Sequence, residues 1–484
     1  VINAGKEDML TNGSDSEYAM VSLLGRVNYA YDDKYLVQAN VRRDGSSRFG
    51  LNYRYGVFPS TSLGWRISQE KFFEGARKYI DDLKLRASYG TIGDQQAIGD
   101  YDYSAYVFVG EGGVFGSDQA INVGSIQKGT ANPNLRWESK TTLNVGLDFT
   151  AFQDKLYGSF EFFSADSKDI LVRLPLAWVY GSDYIPWTNY GRMINKGVEL
   201  TLGFREQKKD FKYNVGLNLT KVNNIILSLG ESYREGGNNG VNRSEEGRSV
   251  GDFYVVRTAG IFQSWDEVYA NTYTSTDPVT NTETTAMIQP NAKPGDIRYI
   301  DSNNDGQINN DDREYVGSPF PDFELGLQFS CEYKNFDLSL FMTGVFGNQI
   351  YNNTKYWLER MDETANLPKN LVPWTEENHS TTTPRAVMGP NDNTRANSDR
   401  WIENGDYVRL KNVQVGYNFP KKILQPIKVV QSCRLFAGVQ NLFTITKYSG
   451  YDPEISGGDV FGKGNDNGHF PPVRSFNAGV QISF

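Results

Sequence analysis

Hydrophobic and polar residues alternate with a period of two along many stretches of this chain. In residues 211–219 (FKYNVGLNL) the odd positions are apolar or aromatic, and the even positions are Lys, Asn, Gly and Asn. Residues 143–149, 198–204 and 323–329 repeat this alternation. A period of two places successive side chains on opposite faces of a strand. The pattern therefore predicts β-strands with one apolar and one polar face.

The number, length and spacing of these segments predict the fold class. We count roughly 14 to 16 candidate strands, several of which reach the ~9–11 residues of a tilted transmembrane strand. Short turns (31–34, 153–155 and 334–335) alternate with long connections near 91–140, 167–196, 223–250 and 348–400. Such alternation is typical of a transmembrane antiparallel β-barrel, the all-β fold that we expect. A soluble β-sandwich explains any single strand equally well, because a solvated face is also polar.

Composition narrows the protein class. The chain has 484 residues, of which 39% are hydrophobic and 13% aromatic, and its net charge is −9. No stretch reaches the roughly 18 apolar residues of a membrane helix. That excludes a helical membrane protein, whereas a barrel remains open because its strands show one face to lipid and one to water. An acidic chain is also a poor candidate for nucleic-acid binding.

Cysteine and histidine are scarce. Cys331 and Cys433 are too few for a disulfide scaffold, and both fall on the apolar side of the alternation, where we expect lipid-facing thiols. His379 and His469 leave little room for imidazole metal sites or general-base chemistry. We find no nucleophile–base arrangement and no pair of acids that marks a cleft, and predict that the protein is not an enzyme.

The two ends of the sequence also carry predictions. Val1 begins without the charged and apolar regions of a signal peptide, so we expect a fragment of a longer chain. The last segment, SFNAGVQISF, alternates up to the terminal Phe484. A final amphipathic strand that stops on an aromatic residue is similar to the signal read by outer-membrane assembly machinery, although an ordinary last strand is the alternative. Phe484 is the predicted assembly signal.

Several segments together resemble the SusC-like branch of TonB-dependent transporters, found in Bacteroidetes. Nearly the whole chain takes part, in the expected order and spacing. The segments are 25–31 (GRVNYAY), 42–50 (RRDGSSRFG), 58–68 (FPSTSLGWRIS), 132–138 (NPNLRWE), 195–200 (NKGVEL), 400–420 (RWIENGDYVRLKNVQVGYNFP) and 440–454 (QNLFTITKYSGYDPE).

This resemblance implies a 22-stranded outer-membrane barrel, of which residues 1–484 would be the C-terminal part, with long extracellular loops. It implies import of an oligosaccharide (glycan) or a peptide, energised by TonB, together with a SusD-like surface lipoprotein. The N-terminal plug and the segment that contacts TonB are not in this sequence. The N-terminal half of the same protein is therefore an expected partner.

One loop carries a metal-binding motif. Residues 301–312 (DSNNDGQINNDD) follow the pattern of an EF-hand loop, with Asp in place of the usual Glu at position 12. Ca²⁺ prefers six to eight oxygen ligands, of which Asp301, Asn303, Asp305, the Gln307 carbonyl and Asp312 would supply five or six, with Asn309 as a contributor through water. We predict a structural Ca²⁺, or Mg²⁺, that stiffens an extracellular loop. The shorter Asp312 leaves one-oxygen and two-oxygen binding open, and a metal-free Asn/Asp/Gly turn is the alternative.

Other candidate contacts rest on weaker signals. Aromatic rings stack on sugars and pack against peptides, so Trp178, Tyr180, Tyr184 and Trp187 are candidate substrate contacts, with interfacial or loop packing as the alternative. The RRDGSSR segment could line the inside of a barrel or form a turn with internal ion pairs. No amphipathic helix is evident, and the Thr-rich stretch 272–285 is expected to be a surface loop.

Two further functions stay open at this stage. An outer-membrane barrel could act as a receptor or as a scaffold for assembly or secretion partners on the same fold. A soluble, calcium-stabilised all-β enzyme is the remaining alternative, and dependence on detergent for extraction would exclude it.

Overall fold

The computed structural model describes residues 15–105, 107–127, 131–174, 179, 185–362, 366–389, 391–427, 429–455 and 459–484. Thirteen strands, β1 to β13, form one large sheet in which each strand pairs with its neighbours in chain order. Their bounds are Met20–Tyr31, Tyr35–Ser46, Tyr55–Arg66, Ile80–Asp94, Glu138–Ala151, Leu156–Arg173, Trp187–Lys208, Phe211–Ser228, Phe323–Tyr333, Phe336–Phe346, Tyr407–Asn418, Ser432–Thr446 and Ser475–Ser483. The predicted all-β class is confirmed, and every register given for neighbouring strands is antiparallel.

Connections at the two ends of the strands differ in length. The connections β1–β2, β5–β6, β7–β8 and β9–β10 are tight turns, as the predicted turns at 31–34, 153–155 and 334–335 require. The alternate connections reach 94 residues between Ser228 and Phe323 and 60 residues between Phe346 and Tyr407, counting 229–322 and 347–406. The alternation of short and long connections is therefore confirmed at these positions. The long connection expected at 167–196 is reduced to 174–186 by the flanking strands, and is no longer than the β3–β4 connection at 67–79.

The long connections contain secondary structure that the sequence patterning missed. Thr272–Thr276 and Glu283–Met287 form a hairpin where only a surface loop was expected. The helices are Ile67–Gln69, Lys71–Lys78, Asn238–Gly240, Asn310–Asp312, Asp392–Thr394, Asp399–Trp401 and Val460–Gly462 (3₁₀) and Trp265–Ala270, Asn353–Glu359 and Lys421–Leu424 (α). The remaining short strands are Val107–Phe115, Ala120–Gln127, Tyr233–Gly236, Asn242–Glu245, Asp252–Val256, Thr258–Ile261, Ile297–Tyr299, Arg313–Gly317, Gln349–Asn352, Ile402–Asn404 and Asn465–Asp466. Among the described helices, none has the length and apolar content to cross a membrane.

The chain divides into two compact units. The first contains Val1–Phe149, Glu161–Lys196 and Ile226–Ser232, and the second contains Thr150–Phe160, Gly197–Ile225 and Tyr233–Phe484. In the first unit a core of Phe49, Phe58, Ile98, Leu135, Trp137 and Leu171 lies beside the strand ends. In the second unit a core of Val241, Phe253, Val255, Tyr351, Tyr356 and Trp401 joins the long connections.

The faces of the large sheet follow the predicted alternation. In the second unit, register aligns aromatic residues across four neighbouring strands on the apolar face: Phe211, Tyr333, Phe336 and Tyr417. At the other end of the same face, the rings of Phe323 and Phe346 stack with centroids 4.8 Å apart. Many apolar side chains of this face are exposed, for example Phe336 at 57% and Val480 at 61%. An exposed apolar band with a row of aromatic residues on each side is typical of a surface that faces lipid.

Both cysteines lie on the apolar face, as their position in the alternation predicted. Cys331 is aligned with Tyr213 and Leu338, and Cys433 with Ile482. Both thiols are free, so no disulfide constrains the described sheet.

Candidate functional site

The polar face of the first unit combines hydroxyl and amide side chains with charged ones. Register aligns two rows across β1 to β4: Arg26, Asn40, Ser60 and Gly90, and next to it Asn28, Gln38, Ser62 and Ser88. Within the first row, the Arg26 Nε donates to Asn40 Oδ1 at 2.7 Å, and the Asn40 amide donates to Ser60 Oγ at 3.2 Å. These rows line cavities of about 630 and 510 Å³. Hydroxyl and amide groups therefore dominate this wall.

The RRDGSSR segment combines the two roles that its sequence left open. The Arg42 Nε donates to Asp44 Oδ1 at 2.7 Å, and Arg48 pairs with Asp100 at 3.0 Å. Arg42 and Asp44 also line the larger of the two cavities. Arg43 instead lies over the Tyr55 ring, 4.4 Å from its centroid. The segment thus forms internal ion pairs and also contributes to the polar wall.

A charged cluster in the first unit surrounds Arg86. Its guanidinium donates to Asp148 at 3.1 Å, to the Asn144 side chain at 3.3 Å and to Glu161. Gly146 makes room for it, because a Cβ there would lie 2.7 Å from the Arg86 Cζ. Sequence analysis missed this cluster, although Arg86 occupies a polar position of its strand. The sequence alone does not show which acidic residues of the neighbouring strands the register places beside Arg86.

A similar cluster lies on the polar face of the second unit. The Arg434 Nε donates to Asp337 Oδ2 at 3.0 Å, and the Asn418 amide donates to the same oxygen at 3.1 Å. Gly416 lies beneath this pair, since its Cβ would meet Asp337 Oδ2 at 2.4 Å. Asp337, Asn418 and Arg434 line a cavity of about 730 Å³. Water can enter this space, so the pair gains less than a buried pair would.

Among the described residues of the second unit, the most deeply buried cation is Arg409, at 1% exposure. Its Nε donates to Thr444 Oγ1 at 2.8 Å, and its terminal nitrogens bind Glu454 at 2.8 Å and Asp452 at 2.5 Å. Lys411 also binds Glu454, at 2.8 Å. A buried guanidinium is tolerated only when paired and hydrogen-bonded. Arg409 thus attaches the connection after β12 to strand β11.

The predicted metal loop adopts the turn that its sequence requires. The backbone N–H of Asp305 donates to Asp301 Oδ1 at 3.1 Å, and that of Gly306 donates to Asp301 Oδ2 at 2.8 Å. Gly306 has φ +83°, a conformation that favours glycine. Ile308 packs against the small core of Val256, Ile297 and Tyr299. The loop is thereby fixed at its centre.

The side chains of this loop offer oxygen donors, the type of ligand that a hard cation prefers. Asn303 Oδ1 accepts from the Asp305 N–H at 3.0 Å, and Asp305 Oδ1 accepts from the Gln307 N–H at 2.8 Å. Asp312 is fully buried, and its two oxygens accept from Ser302 and Asn309. Each carboxylate oxygen keeps a second lone pair. Within the described residues, no group of three or more His, Cys, Asp or Glu side chains could hold a metal, so an ion here would also need the Asn303 and Gln307 oxygens.

Of the four aromatic residues predicted to contact substrate, the structure describes one. Trp178, Tyr180 and Tyr184 lie outside the described residues. Trp187 begins β7, packs against the core around Leu135 and Trp137, and carries the Arg173 guanidinium 4.6 Å from its ring centroid. Its position supports the packing role, and a contact with substrate remains a prediction. Phe484 follows the last strand and is 77% exposed, and its role as an assembly signal also remains a prediction.

Comparisons with known proteins bear on the whole chain. The family model described as TonB dependent receptor-like, beta-barrel, matches residues 4–442. TonB-dependent receptor P3 of Formosa agariphila is 32% identical over 505 aligned residues, covering 100% of this chain and 47% of that protein. TonB-dependent receptor SusC of Bacteroides thetaiotaomicron is 28% identical over 482 aligned residues, covering 96% of this chain and 44% of that protein.

Solved structures agree with these relatives. The RagAB peptide importer in its closed-closed state matches with a TM-score of 0.79 and 26% identity, covering 100% of this chain and 50% of the matched chain. The chain therefore spans about half the length of the proteins that it resembles.

Proposed function

Because the chain belongs to the TonB-dependent receptor family, in its SusC-like branch, we propose that it forms barrel wall in an importer of a glycan or a peptide. The chain is an outer-membrane protein, as the receptors of this family are. TonB would supply the energy, and a SusD-like lipoprotein would deliver the substrate. The observation that supports import most directly is the two-faced sheet, which presents an apolar face for lipid and a polar face lined by cavities.

The edges of the sheet support a partner within the same receptor. Strands β1 and β13 stand at the two ends of the strand order, and each has one neighbour within the described part of the chain. In a bilayer every backbone N–H and C=O must be paired inside the protein. We infer that further strands, together with a plug, come from the N-terminal half of the receptor.

Mild-detergent purification from the native membrane, followed by mass spectrometry of every chain, tests these partners. We expect the N-terminal half of the receptor with its plug, and a SusD-like lipoprotein. Deletion of the receptor should then abolish uptake of the glycan or peptide that this lipoprotein binds, as should deletion of TonB. Recovery of the barrel without plug or lipoprotein would favour the scaffold function. Extraction of the chain without detergent would exclude both the import function and the scaffold function.

We also propose that residues 301–312 hold a structural Ca²⁺, with Mg²⁺ as the alternative ion. Asp301, Asn303, Asp305, the Gln307 carbonyl and Asp312 would be its protein ligands. The support is the match of sequence and turn geometry to an oxygen-rich loop. The bound ion would stiffen the connection between β8 and β9.

Terbium luminescence of the purified receptor tests this ion site. The Tyr273 ring lies beside Gly306, so it can sensitise a lanthanide held in the loop. We expect emission that Ca²⁺ displaces and that Asp301→Asn removes, because the motif requires a carboxylate at its first position. Asp311→Asn is the matched control, because this exposed carboxylate stands at a position of the motif that supplies no ligand. Equal emission from both variants would contradict the site.

A further inference from the structure

A small recess on the polar face of the second unit lies near the ends of the strands that carry the long connections. Its volume is about 300 Å³, the lower end of the range for ligand pockets. Strand register aligns Thr220, Glu324, Val345 and Tyr407 in one row across β8 to β11. The next row contains Asn218, Gly326, Thr343 and Arg409. Four adjacent strands thus build the recess, so its floor is rigid.

Glu324 carries the uncompensated charge of this recess. Lys411 and Glu454, which also line it, pair at 2.8 Å. Arg409 binds Glu454 and Asp452, so these two cations and two acids compensate one another. Glu324 has no hydrogen-bond or ion-pair partner among the residues that the structure describes, and it is exposed. The net charge that the lining presents is therefore negative.

Tyr407 supplies an independent observation. Its side chain lines the recess and is 6% exposed, yet its hydroxyl has no hydrogen-bond partner within the described ranges. The ring is buried, whereas the hydroxyl oxygen itself opens into the recess, where solvent reaches it. It is therefore available to a ligand that enters the recess. The Thr220 hydroxyl lies on the same wall and can accept a hydrogen bond from a ligand, whereas Asn218 Oδ1 already accepts from Thr201 at 3.0 Å.

We propose that this recess binds a positively charged head group, an ammonium or a guanidinium, carried by a ligand in solution. The Glu324 carboxylate compensates its charge, and the Tyr407 hydroxyl accepts one of its N–H donors. Charge-assisted hydrogen bonds of this kind are roughly twice as strong as neutral ones. The volume admits a head group with a short alkyl stem.

Saturation-transfer NMR on the purified whole receptor tests the recess with n-butylammonium and n-butylguanidinium, and with butanol as the neutral probe. We expect transfer to a cationic probe and little to butanol. Glu324→Gln should weaken cation binding about tenfold or more, because it removes the charge-assisted bond. Glu332→Gln is the matched control, since this residue lies on the same strand and face but pairs with Lys212 at 3.2 Å.

Tyr407→Phe separates a ligand contact from a structural role. The hydroxyl has no partner, so the variant should be at least as stable as the wild type while binding the cationic probe several-fold more weakly. Equal binding by wild type and Glu324→Gln, equal transfer to butanol, or no cation binding would overturn the proposal. The last result is expected if another part of the receptor fills the recess. The assay needs no transport, so its failure is distinct from failure of the import function.

Discussion

The large sheet and its long connections bury their hydrophobic residues in opposite ways. In the sheet, apolar side chains such as Phe336, Val480 and Phe476 point outward and are 57–74% exposed. In the connections, Trp401, Phe253 and Tyr351 are 0% exposed and form a core of the globular kind. The hydrophobic effect stabilises both, because the outward face has lipid as its solvent. Apolar residues are therefore placed in two ways in this chain: on an exposed face in the sheet, and inside a protein core in the connections. The change occurs at the strand ends.

The largest expected effect falls in the core of the connections. Trp401→Ala removes a fully buried ring whose Nε1 donates to the Arg395 carbonyl at 2.9 Å, and should cost about 3–5 kcal/mol. Hydrogen exchange of the backbone amides in residues 347–406 would report the loss of protection. Phe336→Ala on the outward face is the control, and should stay within about 1 kcal/mol in detergent. Equal losses of stability in the two variants would contradict the difference proposed between the two regions.

A charge placed on the outward face tests whether that face contacts lipid. Val215→Arg puts a guanidinium in the row of Phe329 and Leu340, midway between the aromatic rows. We expect a loss of about 2–4 kcal/mol in stability in bilayers, because lipid cannot solvate the charge. Gln328→Arg, on the opposite face of the adjacent strand, meets water and should be tolerated. Unfolding by urea in vesicles measures both, and tolerance of both would argue against a lipid-facing band.

The sequence predicts the features that depend on neighbouring residues and misses most of those that depend on distant ones. Alternation, turn lengths and the 301–312 motif are local signals, so strands such as 211–219 and the Gly306 turn could be predicted from neighbouring residues alone. The clusters around Arg86 and Arg409 could not, because register and a bulge between Leu410 and Asn412 decide which acids meet them. The local hairpin of Thr272–Thr276 and Glu283–Met287 was missed because its polar sequence shows little apolar–polar alternation. Other short strands of the connections were missed for the same reason as the clusters. Their pairing partners lie in distant segments, as with Gln349–Asn352 and Asn465–Asp466.

The smallest expected effect concerns the packing of the polar face, which neither lipid nor a closed core controls. A Cβ at Gly203 would lie 2.1 Å from the Tyr157 ring, whose hydroxyl donates to Asn214 at 3.1 Å. Gly203→Ala should force the ring aside, break this bond and cost about 1–3 kcal/mol. Gly216→Ala is the control, because its Cβ would meet nothing nearer than the Gln328 Cβ at 3.9 Å.

A double-mutant cycle with Tyr157→Ala identifies the cause of that loss. If the ring is the obstacle, Gly203→Ala should cost almost nothing once the ring is absent, and the coupling energy should match the single loss. Thermal unfolding in detergent at matched protein concentration gives the four stabilities. An undiminished loss without the ring would instead assign the effect to the backbone of β7. The polar face would then depend at this point on strand geometry, and not on contacts between its side chains.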